Sequence, residues 1–186
     1  KYFGDEKDHK KIALRIVKSR KNKKFLYTDD LSKIIRDIKK NKKKTKTNIA
    51  TKSFQAIRIF VNKEVSELIK GLIEATKILS PGSLLIVVSF HSLEDKIIKY
   101  FLRTYSQKIN NPSRYLPKLN EEDTMLFDCP VKKPIYPSEK EISINYPSRS
   151  AKLRYGIRNN KKFFFPDQLT KKFEGYLEIE KTGLRL

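Results

Sequence analysis

Ser83–Phe90 reads SLLIVVSF and runs directly into His91-Ser92-Leu93-Glu94-Asp95. The first part is short, β-branched and apolar throughout, and Pro81-Gly82 sets it off from what precedes. Such a run suits a strand buried on both faces, as in a parallel sheet. From His91 to Ser106 a helical period returns through Leu93, Ile97, Ile98, Phe101 and Leu102. Upstream, Phe54, Ile57, Val61, Val65, Leu68 and Leu72 repeat every three or four residues, which predicts one long helix over 51–79. Helix, buried strand and helix in that order predict an α/β doubly wound sheet.

Further out, Ile12, Ala13, Ile16 and Val17 predict a helix over 5–20. Thr28 is placed to cap a second helix, with Asp29 and Asp30 near its positive end and Leu31, Ile34, Ile35 and Ile38 along one stripe. Lys39–Lys46 (KKNKKKTK) reads as an exposed loop, either a solvated linker or a contact for RNA phosphate. Asn110–Pro137 holds five prolines and reads mostly as loop, and Pro137-Ser138 with Glu139 and Glu141 resembles a short helix start. Ala151–Ile157 (AKLRYGI) alternates as a strand, in which Arg154 and Arg158 need not be buried. Lys161–Leu186 shows no clear pattern, and no internal repeat is present.

Over 186 residues, 42 Lys and Arg face 21 Asp and Glu, a formal charge of +21. That excess draws the chain towards a polyanion, although a generally lysine-rich composition contributes to it. Cys129 is the single cysteine, which excludes an intramolecular disulfide and a cysteine metal cluster and fits a reduced, cytoplasmic compartment. No apolar run approaches the roughly 18 to 20 residues that span a bilayer, so no membrane partner is expected. No Gly-rich phosphate loop and no His-rich metal spacing occurs either.

The candidate site residues cluster around the opening stretch. His91 sits at the carboxyl end of the expected strand, where open α/β sheets place ligands. It lines that crevice or holds a loop. Ser92 and Asp95 have the S-x-x-D spacing of a capping box, and they either cap the helix or join His91 at a pocket rim. Arg149, Lys152 and Arg154 put three cations into six residues, for phosphate contact or for salt bridges along a strand. Thr51, Gln55 and Arg58 share one face of the long helix, exposed to solvent or to a ligand. His9, in a lysine-rich helix, reads as a surface residue.

Four segments carry a resemblance: Phe3-Gly4-Asp5-Glu6; Ala50–Ile59 (ATKSFQAIRI) with Val61-Asn62-Lys63-Glu64; Ser89–Asp95 (SFHSLED); and Glu141 to Asn145 followed by Arg149–Arg154 (RSAKLR). In this order they resemble the bacterial ribosomal RNA small subunit methyltransferase H family over roughly residues 3–159. Phe3 replaces the family's Tyr, Asn48-Ile49 its His-Pro, and Lys52-Ser53 its Arg-Thr. The resemblance implies methylation of the N4 amine of a cytosine in the decoding region of small-subunit ribosomal RNA, with S-adenosylmethionine as methyl donor. It implies a Rossmann-like sheet carrying a helical insert, with residues 1–50 as part of the insert, 51–160 as the C-terminal half of the methyltransferase domain and 161–186 an unassigned tail. The family's cofactor motifs belong to an N-terminal half not found in this chain, so the expectation is a fragment, inactive alone, whose S-adenosylmethionine site lies mostly elsewhere. In that scheme His91, Ser92 and Asp95 stand at the pocket rim, and Arg58, Arg149, Lys152 and Arg154 serve RNA. The partner is the ribosomal RNA or the assembled small subunit, and a homodimer is left open. The competing expectation is a non-catalytic, basic RNA-binding remnant.

Overall fold

The computed structural model describes residues 1–40, 48–106 and 125–183. The chain forms two compact units, Lys1–Glu64 with Glu178–Leu186, and Val65–Leu177.

The first unit holds helices α1 (His9–Asn22), α2 (Thr28–Lys39) and α3 (Thr51–Asn62). Ile12, Ile35 and Ala50 form its buried centre, with Ile16, Leu31, Ile38 and Phe54 packed around them. These are the stripe positions of the helical periods, so burial follows the pattern. Thr28 does not cap α2. Asp30 reaches back instead, and its Oδ2 accepts the N–H groups of Leu26 (3.1 Å) and Tyr27 (3.2 Å). Those two bonds hold its carboxyl below the usual range.

Lys39 departs further from expectation. It ends α2 rather than opening an exposed loop, and it is buried. Its Nζ donates to Glu6 Oε2 (2.5 Å) and to the Ile49 carbonyl (3.0 Å), while Ser53 Oγ donates to the same carboxylate (3.1 Å). Lys40 is exposed, and the rest of the expected loop, 41–46, lies outside the described residues. Gly4 is required here, because a Cβ would stand 2.1 Å from the Lys52 carbonyl oxygen. The segment before α1 thus meets the start of α3 backbone to backbone.

The long helix expected over 51–79 is two helices. Lys63 takes left-handed backbone angles (φ 54°, ψ 40°) and ends α3. The next residue, Glu64, begins α4 (Glu64–Ile78) and accepts two bonds from Arg58, Nε to Oε1 at 2.7 Å and Nη2 to Oε2 at 3.0 Å. The apolar period continues across the break, which is why periodicity alone misses it.

In the second unit, β1 (Leu84–Ser89), β2 (Phe127–Asp128) and β3 (Lys152–Arg158) form a sheet in the order β1-β3-β2. Both pairings are antiparallel, with Leu84 opposite Ile157 and Ser89 opposite Lys152. The α/β class stands, but the described strands make no parallel sheet, and β1 is not buried on both faces. Leu85 and Ser89 are buried, whereas Leu84, Ile86 and Val88 are 51%, 56% and 48% exposed. An apolar run records hydrophobicity, not which face another layer covers.

Helix α5 (Ser92–Ser106) packs on this sheet through Leu93, Ile97, Ile98, Phe101 and Leu102. The Phe101 ring meets Phe127 edge-on at 5.7 Å. Gly156 in β3 admits this closeness, since a Cβ there would lie 3.2 Å from Leu102, Phe127 and Cys129. Ser138 caps α6 (Glu139–Ile144) as its position predicts, accepting the Glu141 N–H at 3.2 Å. Arg158 is buried, with Nη1 and Nη2 donating to the carbonyls of Leu126, Asn159 and Lys161. The stretch 161–186, patternless in sequence, contains α7 (Asp167–Thr182), anchored in the second unit by buried Leu169 and Phe173.

Candidate functional site

The carboxyl end of β1 is where the two most specific sequence segments meet. Asp95, in the first turn of α5, accepts Arg154 Nε at 2.7 Å and Lys152 Nζ at 3.0 Å. One carboxylate therefore ties SFHSLED to RSAKLR across more than fifty residues of chain. Lys152 and Arg154 share a face of β3, as the strand period requires, and Arg154 also donates to the Lys132 carbonyl at 3.2 Å. Ser89 Oγ donates to the Lys152 carbonyl at 3.4 Å, closing the last rung of β1 against β3. Burial pushes the Asp95 carboxyl up, but the bonds from Arg154 and Lys152 outweigh it and leave the pKa below the ordinary value. Two cations on one carboxylate leave the cluster with a net positive charge.

The capping expected of Ser92 and Asp95 is displaced by one residue. Glu94 does the capping: its Oε2 accepts the N–H groups of Phe90 (2.9 Å) and His91 (3.3 Å). The Glu94 N–H in turn points at His91 Nδ1 (3.4 Å), so the cap residue is His91 and Ser92 is the first residue of the helix. The other ring nitrogen, Nε2, lies 3.2 Å from Glu94 Oε1. Burial raises the Glu94 carboxyl, and the bonds from His91 and Phe90 more than reverse that. The arrangement frees Asp95 for β3. A capping box at H-x-x-E rather than S-x-x-D was legible in the spacing, but Ser and Thr dominate that motif.

The remaining candidates fall in separate places. Arg149 is exposed in a 3₁₀ turn (Tyr146–Ser150), with its guanidinium 4.3 Å from the Tyr146 ring centre and Nη1 donating to the Tyr146 carbonyl at 3.3 Å. Tyr146 is itself 66% exposed, and sequence reading passed over it. Arg58 is in the first unit, paired with Glu64, where it lines an open cleft with Thr51 and Gln55. His9 is partly exposed, its Nδ1 3.0 Å from the Glu6 carbonyl.

The chain matches the model of the MraW methylase family over residues 1–158. It is 40% identical over 158 residues to the ribosomal RNA small subunit methyltransferase H of Hyphomonas neptunium, a match covering 85% of this chain and 46% of that protein. The protein of the same name from Sinorhizobium fredii is 44% identical over 158 residues, covering 84% of this chain and 46% of its own. That of Methylorubrum extorquens is 38% identical over 159 residues, covering 86% and 45%. The chain spans about half the length of the curated relatives it matches.

Proposed function

The chain belongs to the MraW methylase family, and from that premise we propose that the protein it forms part of methylates the N4 amine of a cytosine in the decoding region of small-subunit ribosomal RNA. The observation that carries this reading is the family match together with the joint at Asp95. The two segments most specific to the family are held against each other at the end of β1. The relatives' shared name supplies the substrate class.

S-adenosylmethionine is the methyl donor in this reading, and neither acid at the end of β1 is free to take its ribose. A ribose needs a carboxylate with spare acceptor capacity. Asp95 is committed to two cations, and Glu94 to His91 and two backbone N–H groups. We place the donor mostly outside this chain, together with the remainder of a Rossmann-like sheet, whose strands would pair with the edge of β1 left free in the order β1-β3-β2. The residues of this chain hold and orient the acceptor. His91, Ser92 and Asp95 stand at the rim, with the imidazole Nδ1 accepting the Glu94 N–H. Arg149 and Tyr146 present an exposed cation over an exposed ring, which suits an unstacked base and its phosphate. Lys152 and Arg154 add positive charge beside them, and Arg58 in the first unit is a separate candidate contact for RNA. An exocyclic amine has its lone pair delocalised into the ring, so orienting it and excluding water are the main tasks. No helix among the described residues is long and apolar enough to cross a membrane, and a cytoplasmic location suits the substrate.

Incubating the full-length protein with methyl-labelled donor and either naked small-subunit RNA or the assembled subunit tests the reading. Label recovered as N4-methylcytidine is expected from one of the two. The excess of 42 cations over 21 acids favours a second reading, a non-catalytic RNA binder, and tight RNA binding without any labelled nucleoside would select it. His91→Ala should lower turnover by about 10- to 100-fold through misplacement of the acceptor, with a far smaller change in melting temperature. Unchanged turnover would reduce His91 to a helix cap.

A further inference from the structure

A cavity of about 340 Å³ lies in the second unit, away from the His91–Glu94 cap, between α5, β3 and the segment that follows β2. Four of its lining residues are cations: Lys99 and Arg103 from α5, Lys132 from the segment after β2, and Arg154 from β3. No carboxylate among the described residues lines it. Arg154 is held from behind, its Nε on Asp95 and its Nη1 on the Lys132 carbonyl, so one wall is a fixed guanidinium. Lys99 and Lys132 are exposed, and among the described residues neither ammonium meets an acid. Leu102 and Val131 give the same cavity an apolar side.

Arg154 is already balanced by Asp95, which leaves Lys99 and Lys132 as ammonium groups that meet no acid among the described residues, and a phosphate is an anion that would compensate them. A planar guanidinium and mobile ammonium groups are the usual pair for holding it. The volume falls within the range of small-ligand sites, enough for a single nucleotide, and an apolar wall beside the cations suits a base or ribose. We propose that this cavity is a subsite for one nucleotide of single-stranded RNA, with its phosphate on Lys99 and Lys132 and its base against Leu102 and Val131. The proposal rests on the reading of an RNA substrate and extends it to a cavity in which Arg154 alone belongs to the quoted motif segments. Exposed Lys99, Arg103 and Lys132 leave the cationic side open, so a strand can enter and leave.

Cys129 lines the same cavity and supplies the probe. It is half-buried, and burial pushes its thiol up, so alkylation is best followed in alkaline buffer. In the full-length protein, modification of Cys129 is followed by peptide mass spectrometry in the presence of a short oligoribonucleotide, a nucleoside monophosphate or inorganic phosphate. The oligoribonucleotide should protect the thiol. In the double variant Lys99→Ala/Lys132→Ala, that protection should fall at least tenfold in apparent affinity, and the log–log salt slope of binding should flatten by about 1 to 2. Equal protection by the monophosphate supports the site and assigns it to a free nucleotide. Equal protection by inorganic phosphate alone overturns it, as does an oligoribonucleotide that binds without shielding Cys129. The labelled-methyl assay on the unaltered protein separates the two failures: methylation without protection removes the subsite alone, whereas no methylation removes the parent reading.

Discussion

Each unit contains a carboxylate bonded to a lysine, and the two arrangements differ in balance. In the first unit Glu6, Lys39 and Ser53 form a closed set: one acid and one base, both nearly excluded from solvent, with the remaining bonds going to Ser53, Ile49 and the Asp8 N–H. In the second unit Asp95 faces two cations, one of them partly exposed, at the end of a strand. A neutral, sealed pair joins segments that are far apart in sequence and leaves nothing over. A pair with surplus charge at an open edge also joins segments, but it leaves a positive field for something else to meet. The first is architecture; the second is architecture placed where an anion would arrive.

That contrast is open to direct attack. The largest effect should come from Lys39→Met, which strands Glu6 in a buried site and should cost about 3 to 5 kcal/mol in chemical denaturation, with no specific loss of RNA affinity. A cost under about 1 kcal/mol would mean that the pair is not buried in solution. Asp95→Ala comes next, at roughly 2 to 3 kcal/mol, because Arg154 loses its acceptor while remaining largely enclosed. Unlike Lys39→Met it should also cut methylation beyond what the lost stability explains, and equal losses in both assays would erase the distinction.

Acid should separate the units less sharply. Glu6, Glu94 and Asp95 all have lowered native pKa values: burial raises each, and bonds from Lys39, from His91 and from Arg154 respectively outweigh it. A depressed carboxylate contributes its stability above the unfolded pKa, near 4, and that contribution disappears as pH falls through the lower native value. Unfolding free energy followed from neutral pH downward should therefore hold until about pH 4 and then drop, and Asp95→Asn should make the drop shallower. The smallest effect belongs to Arg149→Ala. It should leave stability within about 0.5 kcal/mol while flattening the salt dependence of RNA binding by about 1. A substantial loss of stability would show that the Arg149–Tyr146 stack is structural.

Most helices were legible from spacing, because Ile12, Ile35, Phe101 and their neighbours repeat at the period that buries one face. Strand β1 and the Ser138 cap were legible for the same local reasons. What escaped was decided by partners remote in sequence. The pairing of β1 with β3 places residues 84 and 157 opposite each other, and no period within SLLIVVSF encodes its direction. Lys63 interrupts an unbroken apolar stripe by adopting a backbone conformation that its neighbours' hydrophobicity does not record. Lys39 sits in a run of cations and is distinguished only by Glu6, thirty-three residues earlier.

For the candidate site, the residues by themselves determined membership of a family and the place where the motif segments lie. SFHSLED and RSAKLR are recognisable as strings, and His91 follows an apolar run that can only be a strand end or a buried helix. Tertiary structure alone decided the roles within those strings. It gave the cap to Glu94 and His91, turned Asp95 towards Lys152 and Arg154, and left Arg149 facing solvent. The reason is physical: a carboxylate takes the donor that folding brings within 3 Å, and one-dimensional spacing ranks only the donors on its own helix.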